Sequence, residues 1–446
     1  MKITPVDKWI IDPVSQFISK SSTGGIILII SAILAIIWAN SPWKDTYYKI
    51  LEYKIFIGLH DSPFLDMHVL EWINHGLMSV FFFVVGLELK REMIAGELSN
   101  PKNAILPVVS GIGGMIFPAL IFTYFNSGSE TINGWGIPMA TDLAFALGIL
   151  YLLGDKIPTS IRIFLTTFSI VDDIGSVIVI ALFYTEKIVI GNLFIGLFIL
   201  LIMIISNRVG VRNIFYYALL GIGGVWLFFL LSGVHPTIAA ILAAFTIPAD
   251  TKINEALFIE KMDNYLKRFQ QADPNHSVPT LTGEQLQILE EMESLNNYAM
   301  TPLQRLEHDM APFVAFIIMP IFALANSGVT FGENVLADAG SQVALGVAIG
   351  LMAGKMIGIF GVSSLLIKFK VVPRPSGVTF KHLFGVGLIS SIGFTMSLFI
   401  NELAFNPLGE IGATYIAQAK IGIIIASVIG GVGGYLFLAF QKRVES

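Results

Sequence analysis

Apolar runs long enough to cross a bilayer recur from one end of the chain to the other, separated by short polar segments. About 20 apolar residues in a helix span the hydrocarbon core of a membrane. The runs predict twelve transmembrane helices, at 24–40, 74–90, 104–125, 137–153, 160–184, 189–206, 214–232, 234–248, 308–326, 341–367, 382–401 and 411–440. The chain is therefore predicted to be an all-α polytopic membrane protein.

The composition separates this chain from soluble proteins. Of its 446 residues, 54% are hydrophobic and 13% are charged, whereas soluble domains average about 25% charged residues. The absence of cysteine excludes thiolate metal sites, redox dithiols and disulfides, and no cofactor is expected. The net charge of −5 gives no sign of a nucleic-acid partner.

Two hydrophilic stretches organise the chain. The first residues alternate apolar and polar positions and carry Asp7 and Asp12, which favours an interfacial amphipathic helix over a cleaved signal peptide. Residues 250–303 are charged and partly helical in period. The predicted organisation is the interfacial helix with spans one to eight in 1–249, a hydrophilic cytoplasmic insertion in 250–303, and spans nine to twelve in 304–446.

Lysine and arginine give the orientation. With twelve spans, most of the 27 basic residues fall on one side, and basic loops face the cytoplasm. Both termini are therefore predicted to be cytoplasmic. On the other side, residues 47–58 alternate like a β-hairpin, and the external 45–60 segment is predicted to form a homodimer contact.

The few ionisable residues placed within the membrane interior, away from the polar ends of the predicted spans, are Asp142, Asp172, Asp173 and Lys355. Each charge at the centre of a spanning helix costs roughly 2.5–3.5 kcal/mol, so a compensating arrangement is expected. Neighbouring helical positions point about 100° apart, so one aspartate of the pair can face Lys355 while the other stays free. A carboxyl group away from water can hold either a proton or a hard cation. A buried salt bridge that only orients helices is the structural alternative.

Two predicted helices are interrupted. Residues 137–148 (IPMATDLAFALG) and 388–400 (LISSIGFTMSLFI) contain Pro, Gly and hydroxyl residues. They belong to spans four and eleven, the middle members of two three-span groups that run in opposite directions. Such an inverted repeat with two broken helices crossing at the midplane is typical of transporters with a central ion site, where Asp142 would balance positive helix N-termini.

Two mixed-charge clusters lie at the cytoplasmic ends of spans. They comprise Glu88, Lys90, Arg91 and Glu92 in VGLELKREM, and Arg305, Glu307 and His308 in LQRLEHDM. Solvated helix ends explain each cluster separately. A shared electrostatic funnel or pH sensor containing a titrating histidine explains both together, and the sequence leaves the two interpretations open.

Seven blocks of the chain resemble, in order, the NhaA-type sodium/proton antiporter family. They are FFFVVGLELKREM, GWGIPMATDLAFALGILYLLG, FLTTFSIVDDIGSVIVIALFYT, SGVHPTIAAILAAFTIP, RLEHDMAPFVAFIIMPIFALANSGV, GLMAGKMIGIFG and SSIGFTMSLFI. The resemblance implies electrogenic, pH-regulated exchange of cytoplasmic Na⁺ or Li⁺ for external H⁺, for sodium and pH homeostasis. It also implies a homodimer in the bacterial inner membrane.

The resemblance further implies roles for individual residues. Asp172 and Asp173 would carry the ion and the proton, Lys355 would pair with Asp172, and Thr141 and Asp142 would complete the site, with Asp172, Asp173 and Thr141 binding Na⁺. The pH-sensing residues would be Glu88, Arg91, Glu92, Arg305, Glu307 and His308. The chain departs from the family at Gln304 and Ala311, which bears on the pH profile and not on the transport chemistry.

Three other functions compete with antiport. A sodium-coupled symporter of an organic anion would keep the fold but would need a larger central cavity. A light-driven pump would use Lys355 as a Schiff base with an aspartate counter-ion. A channel would conduct without stoichiometric exchange. None of these readings, antiport included, makes the protein an enzyme.

Overall fold

The computed structural model describes residues 22–59, 62–185, 188–272, 280–330 and 335–441. The predicted interfacial helix and both termini lie outside these ranges. The helices are α1 Ser22–Ala39, α2 Lys44–Leu51, α3 Val69–Ala95, α4 Pro101–Phe125, α5 Leu143–Leu152, α6 Thr159–Phe183, α7 Ile190–Val209, α8 Ile214–Ser232, α9 Pro236–Thr246, α10 Glu255–Ala272, α11 Gly283–Ala299, α12 Pro302–Asn326, α13 Val335–Ala339, α14 Gln342–Lys368, α15 Phe380–Ile389, α16 Phe394–Phe405 and α17 Gly409–Ala439. Short 3-10 helices lie at Glu97–Ser99, Glu130–Met139, Gly154–Lys156 and Asn406–Leu408.

The all-α polytopic fold is confirmed. Within the described ranges, nine helical segments are long and apolar enough to cross a membrane, and ten if α1 and α2, bent by 115°, form one span. Each of the twelve predicted runs contains a helix. The number of spans and the inverted repeat stay predictions, because α9 with its 11 residues is only about 16 Å long, roughly half the hydrocarbon core.

Helix ends follow local sequence chemistry. The Thr301 hydroxyl accepts a hydrogen bond from the Gln304 backbone N–H at 3.1 Å, and Pro302 occupies the first helical position of α12. This capping box satisfies backbone groups that have no partner inside the helix. Gln304, where the chain departs from the family pattern, thus acts in starting α12.

Small residues bring α4 and α14 into close contact. A Cβ atom added to Gly113 would lie 2.7 Å from the Gly358 carbonyl oxygen, and one added to Gly354 would lie 2.6 Å from the Pro118 backbone. Helix pairs in membranes associate through such backbone approach. The π-helical segments Gly350–Gly354 and Met356–Gly361 flank Lys355. The Lys355 side chain, between these two segments, is fully buried.

The predicted external hairpin exists, but it begins later than the sequence indicated. Strands β1 Lys54–Leu59 and β2 Ser62–His68 pair antiparallel, with Lys54 opposite His68. Residues 44–51, placed partly in the hairpin by the alternation, form α2 instead. Tyr47 and Leu51, one helical turn apart, are both buried, and this 3.6-residue period prevails over the alternating one because it buries apolar surface.

The hydrophilic insertion contains two helices that contact each other. Arg268 of α10 and Glu291 of α11 form an ion pair at 2.8 Å. The end of α11 reaches the membrane part, since Asn297 accepts a hydrogen bond from Arg305 at 3.0 Å. The division into 1–249, 250–303 and 304–446 stays a prediction.

Candidate ion-binding site

Two helix interruptions meet at the centre of the molecule. The 3-10 helix Glu130–Met139 gives way to extended backbone at residues 140–142 before α5 begins. The second interruption separates α15 from α16. Across the two breaks, the Asp142 N–H donates to the Ile392 carbonyl at 2.7 Å and the Thr141 hydroxyl donates to the Ser390 carbonyl at 3.2 Å. Each break therefore supplies a hydrogen bond to a backbone carbonyl of the other, as backbone interrupted at membrane depth requires.

Asp142 joins the beginnings of two helices. One carboxylate oxygen accepts from the Phe145 N–H of α5 at 3.0 Å. The other accepts from the Thr395 N–H at 3.1 Å and from the Thr395 hydroxyl at 2.5 Å, in the first turn of α16. A carboxylate at a helix N-terminus is stabilised by the helix dipole and by free N–H groups. The predicted position of Asp142 at positive helix ends agrees with this geometry. Sequence reasoning missed Thr395, because a threonine in an apolar helix gives no distinguishing signal.

Lys355 pairs with Asp172. The Lys355 Nζ atom lies 2.6 Å from Asp172 Oδ2, and the two side chains are 0% and 1% exposed. Lys355 also donates to the Met139 carbonyl at the end of the 3-10 helix. Thr141, whose hydroxyl donates to the Ser390 carbonyl, is an electrostatic neighbour of the Asp172 carboxylate. Lys355 thus compensates a carboxylate and a free backbone carbonyl at the same point.

Asp173 is buried without a cationic partner in direct contact. It is 1% exposed, and its Oδ1 atom has no hydrogen-bond partner among the described residues. Its charge interacts with Asp172, Asp142 and Lys355. Two carboxyl groups, of Asp172 and Asp173, therefore share a single ammonium group, and they can accept further positive charge as a proton or a cation. Across the described ranges, no three His, Cys, Asp or Glu side chains form a group that could hold a metal ion.

The charged residues at the helix ends divide into two sets. Arg91 Nε lies 2.9 and 3.0 Å from the two carboxylate oxygens of Glu307, and Arg91 Nη1 lies 2.8 Å from Glu92. Glu88 interacts electrostatically with Glu307 and Arg91 of this set and also with Asp173. These four residues therefore connect the helix end with the central site.

Arg305 and His308 lie apart from that set. Arg305 is held by Asn297 of the insertion and lies 4.0 Å from Asp309. His308 is 83% exposed, with its ring 3.5 Å from Asp309. The structure therefore brings together only part of the six residues that sequence analysis assigned to pH sensing.

Comparison with known proteins identifies the family. The family model described as Na⁺/H⁺ antiporter 1 matches residues 15–438. The Na(+)/H(+) antiporter NhaA 1 of Saccharophagus degradans is 42% identical, covering 97% of this chain and 94% of that protein. The NhaA antiporter of Oleidesulfovibrio alaskensis is 41% identical, over 98% and 96% of the two chains, and NhaA 1 of Clostridium beijerinckii is 44% identical, over 95% and 94%. The chain therefore belongs to the Na⁺/H⁺ antiporter 1 family, and the predicted family is confirmed.

Proposed function

We propose that this multi-pass membrane protein exchanges Na⁺ for H⁺, with Asp173 and Asp172 as the groups that bind both. The observation that carries the proposal is the buried Asp173 carboxyl group beside the Asp172–Lys355 pair, at the crossing of two interrupted helices. A carboxylate is a hard oxygen ligand that suits a small alkali cation. The names of the relatives support the same substrates.

Na⁺ and H⁺ would be exchanged because they compete for the same carboxylate groups. A cation and a proton cannot both neutralise the same carboxylate, so binding of one favours release of the other. A cation that contacts Asp172 also competes with the ammonium of Lys355, at 2.6 Å. Lys355 can then lose a proton, because a buried ammonium without its partner is costly. One carboxyl group and Lys355 would each release a proton when one monovalent cation binds. The proposed exchange would therefore move net charge across the membrane, which makes it electrogenic.

The proposal also covers a second substrate ion, the other residues of the ion site and the need for a cofactor. Li⁺ shares the oxygen preference of Na⁺ and is proposed as a second substrate, with export of the cation and uptake of H⁺. Thr141 and Asp142 are proposed to complete the ion site, because they are electrostatic neighbours of Asp172 and Asp173 respectively. The protein is proposed to need no cofactor.

Regulation by pH is proposed to act through the helix-end residues. Glu88 interacts with both the Arg91–Glu307 pair and Asp173, so a change in its charge alters the field at the ion site. Arg305 and His308 would affect the ion site only indirectly, through their contacts with Asp309 and, for Arg305, with the insertion. The proposed pH sensor therefore consists of two separate groups of residues and not of one cluster of six.

The protein is proposed to lie in the bacterial inner membrane with both termini in the cytoplasm, as a homodimer. The hairpin supports the dimer because Ile55, Phe56 and Ile57 are 43%, 53% and 52% exposed on β1. An edge strand with exposed apolar side chains is suited to pairing with a second copy.

Proton movement in proteoliposomes tests the function. A pH-sensitive dye inside the vesicles would report flux on addition of NaCl, LiCl or KCl at several values from pH 6 to 9. We expect Na⁺- and Li⁺-dependent flux that Asp173→Asn abolishes. Asp263→Asn is the matched control, because Asp263 is 61% exposed on α10, and it should transport normally.

The contrary outcome is equally defined. If the folded, intact protein shows no cation-dependent proton flux at any of these pH values, the antiport proposal is wrong. The sodium-coupled symporter would then be tested with organic anions.

A further inference from the structure

Four oxygen-bearing side chains lie on one face of α6. Ser169, Asp172, Asp173 and Ser176 occupy positions i, i+3, i+4 and i+7, which share a helix face. Their exposed fractions are 0%, 0%, 1% and 1%. The two serines therefore flank the carboxylates one helical turn before and one turn after them.

The hydroxyl groups of these serines belong to a small set of buried hydroxyls without a partner among the described residues. They are the members of that set that lie on the same helix as Asp172 and Asp173; the others are those of Thr237, Ser327, Ser364 and Ser427. Buried hydroxyls in apolar helices usually donate to the carbonyl four residues earlier. Ser110 does so at 2.6 Å, Thr167 at 2.9 Å and Ser390 at 2.7 Å. In the described part of the chain, Ser169 and Ser176 have no partner at all.

An unpartnered buried hydroxyl requires an explanation, since alanine would fill the same place without the cost of removing a polar group from water. The nearest explanation is the ion site itself. Asp172 and Asp173 each have one carboxylate oxygen without a partner among the residues described. Residues three and four apart on a helix have Cβ atoms about 5–6 Å apart, so one hydroxyl and one carboxylate on this face can both reach the same small ion.

We propose that Ser169 and Ser176 are cation-binding residues, one on each side of the carboxylate pair. This inference rests on the proposed Na⁺/H⁺ exchange and extends it. A proton needs only one carboxylate oxygen, whereas an alkali cation needs several oxygen ligands. Neutral hydroxyls therefore strengthen the bound state of the cation without strengthening that of the proton.

The spacing assigns the two serines to different access states. Seven residues of α-helix separate Ser169 from Ser176 by about 10 Å along the axis, too far for both to contact one ion at once. Ser169 lies on the Thr159 side of the two aspartates along α6, and Ser176 lies on the Phe183 side. An ion that enters from one end of the bundle meets one serine together with the carboxylates, and an ion that enters from the other end meets the other.

Apparent Na⁺ affinity measured at each membrane face tests the proposal. Ser169→Ala, Ser176→Ala and the intact protein would be assayed in everted and right-side-out vesicles, with KM for Na⁺ and kcat separated. We expect about a tenfold rise in KM at one face for Ser169→Ala and at the opposite face for Ser176→Ala. The other face should change by less than about twofold, and Ser→Thr at either position should restore the affinity.

Thr167→Val is the matched control, because the Thr167 hydroxyl bonds to the Ile163 carbonyl of its own helix. It should leave KM unchanged at both faces. The proposal is overturned if neither serine variant raises KM, or if each raises it equally at both faces, as loss of packing would. Na⁺-dependent thermal stabilisation of the purified variants covers any variant with too little flux; stabilisation equal to that of the intact protein also overturns it.

Failure of this inference is distinct from failure of the proposed function. If the intact protein exchanges Na⁺ for H⁺ and Asp173→Asn does not, the function stands whatever the serine variants show. If the intact protein shows no exchange, the proposed function fails, and the serine proposal fails with it.

Discussion

Replacement of Lys355 by methionine tests how the charges inside the membrane are balanced. Lys355 and Asp172 form a fully buried pair at 2.6 Å. Removal of one member of such a pair costs roughly 3–5 kcal/mol, because the other charge stays buried and uncompensated. We expect Lys355→Met to lower the free energy of unfolding by about that amount at neutral pH.

The double variant separates the charge effect from packing. Asp172→Asn removes the uncompensated carboxylate, so Lys355→Met with Asp172→Asn should recover about 2 kcal/mol of the loss. The Met139 carbonyl, which also accepts from Lys355, stays unpaired in both variants. One missing hydrogen bond to a buried group accounts for a residual deficit of about 1–3 kcal/mol.

Unfolding by SDS titration in mixed micelles gives the free energies for the double-mutant cycle. Lys420→Met is the control, since the Lys420–Glu402 pair is longer, at 3.0 Å, and each side chain is 12% exposed. Its removal should cost clearly less than that of Lys355. A double variant as unstable as Lys355→Met alone would refute the reasoning, because the loss would then come from the lysine's packing and not from its charge.

Two further predictions concern the crossing and the packing of the helices. Thr395→Val removes a 2.5 Å hydrogen bond to the Asp142 carboxylate and should lower the free energy of unfolding by about 1.5–3 kcal/mol, the value for hydrogen bonds to charged groups; a loss below about 0.5 kcal/mol in the same SDS titration would contradict the assigned contact. Gly358→Ala places a Cβ atom 2.3 Å from the Gly113 carbonyl oxygen, whereas a Cβ on Gly223 meets no atom within 4 Å. The former should cost about 1–3 kcal/mol through overpacking and the latter should be close to neutral, so equal effects would show that α4 and α14 do not pack as described.

The central charges and the helix breaks were predictable because a bilayer makes them conspicuous. Asp142, Asp172, Asp173 and Lys355 stand out against apolar surroundings, and each needs a partner because charge is costly there. The same argument predicts that one aspartate of the pair faces Lys355, and the family resemblance implied that it is Asp172. Pro138, between two polar or small stretches, marked one of the interruptions.

Hydroxyl groups were not predictable in the same way. Serine and threonine are ordinary residues of membrane helices, since their hydroxyls can bond to the preceding turn. Nothing in the sequence separates Thr167, which makes that bond, from Ser169, which does not. Only the three-dimensional structure shows which hydroxyls lack a hydrogen-bond partner among the described residues. It also shows that Thr395 donates a hydrogen bond to Asp142.

Competing periods and long-range contacts account for the other differences. Residues 44–51 satisfy both an alternating and a helical pattern, and the helix forms because it buries Tyr47, whose hydroxyl donates to the carbonyls of Leu324 and Ala325 at 2.8 and 2.9 Å. Arg305 leaves the charged set because Asn297 of the insertion accepts its hydrogen bond. Both contacts join distant parts of the chain, so local sequence does not show them.

Lys355 and Asp142 take part in the charge balance and also form hydrogen bonds with backbone groups where the two interrupted helices cross. Ion binding at these charges would therefore be linked to the positions of the helices. Lys355 holds both the Asp172 carboxylate and the Met139 carbonyl. In the proposed exchange, a cation that replaces the Lys355 ammonium at Asp172 would therefore also weaken the hydrogen bond from Lys355 to the Met139 carbonyl, at the end of the 3-10 helix. Asp142 remains bound to the starts of α5 and α16 through Phe145 and Thr395. In the proposed exchange, one side of the crossing would thus stay fixed while the ion releases the other, so that ion binding would favour one of two helix arrangements over the other.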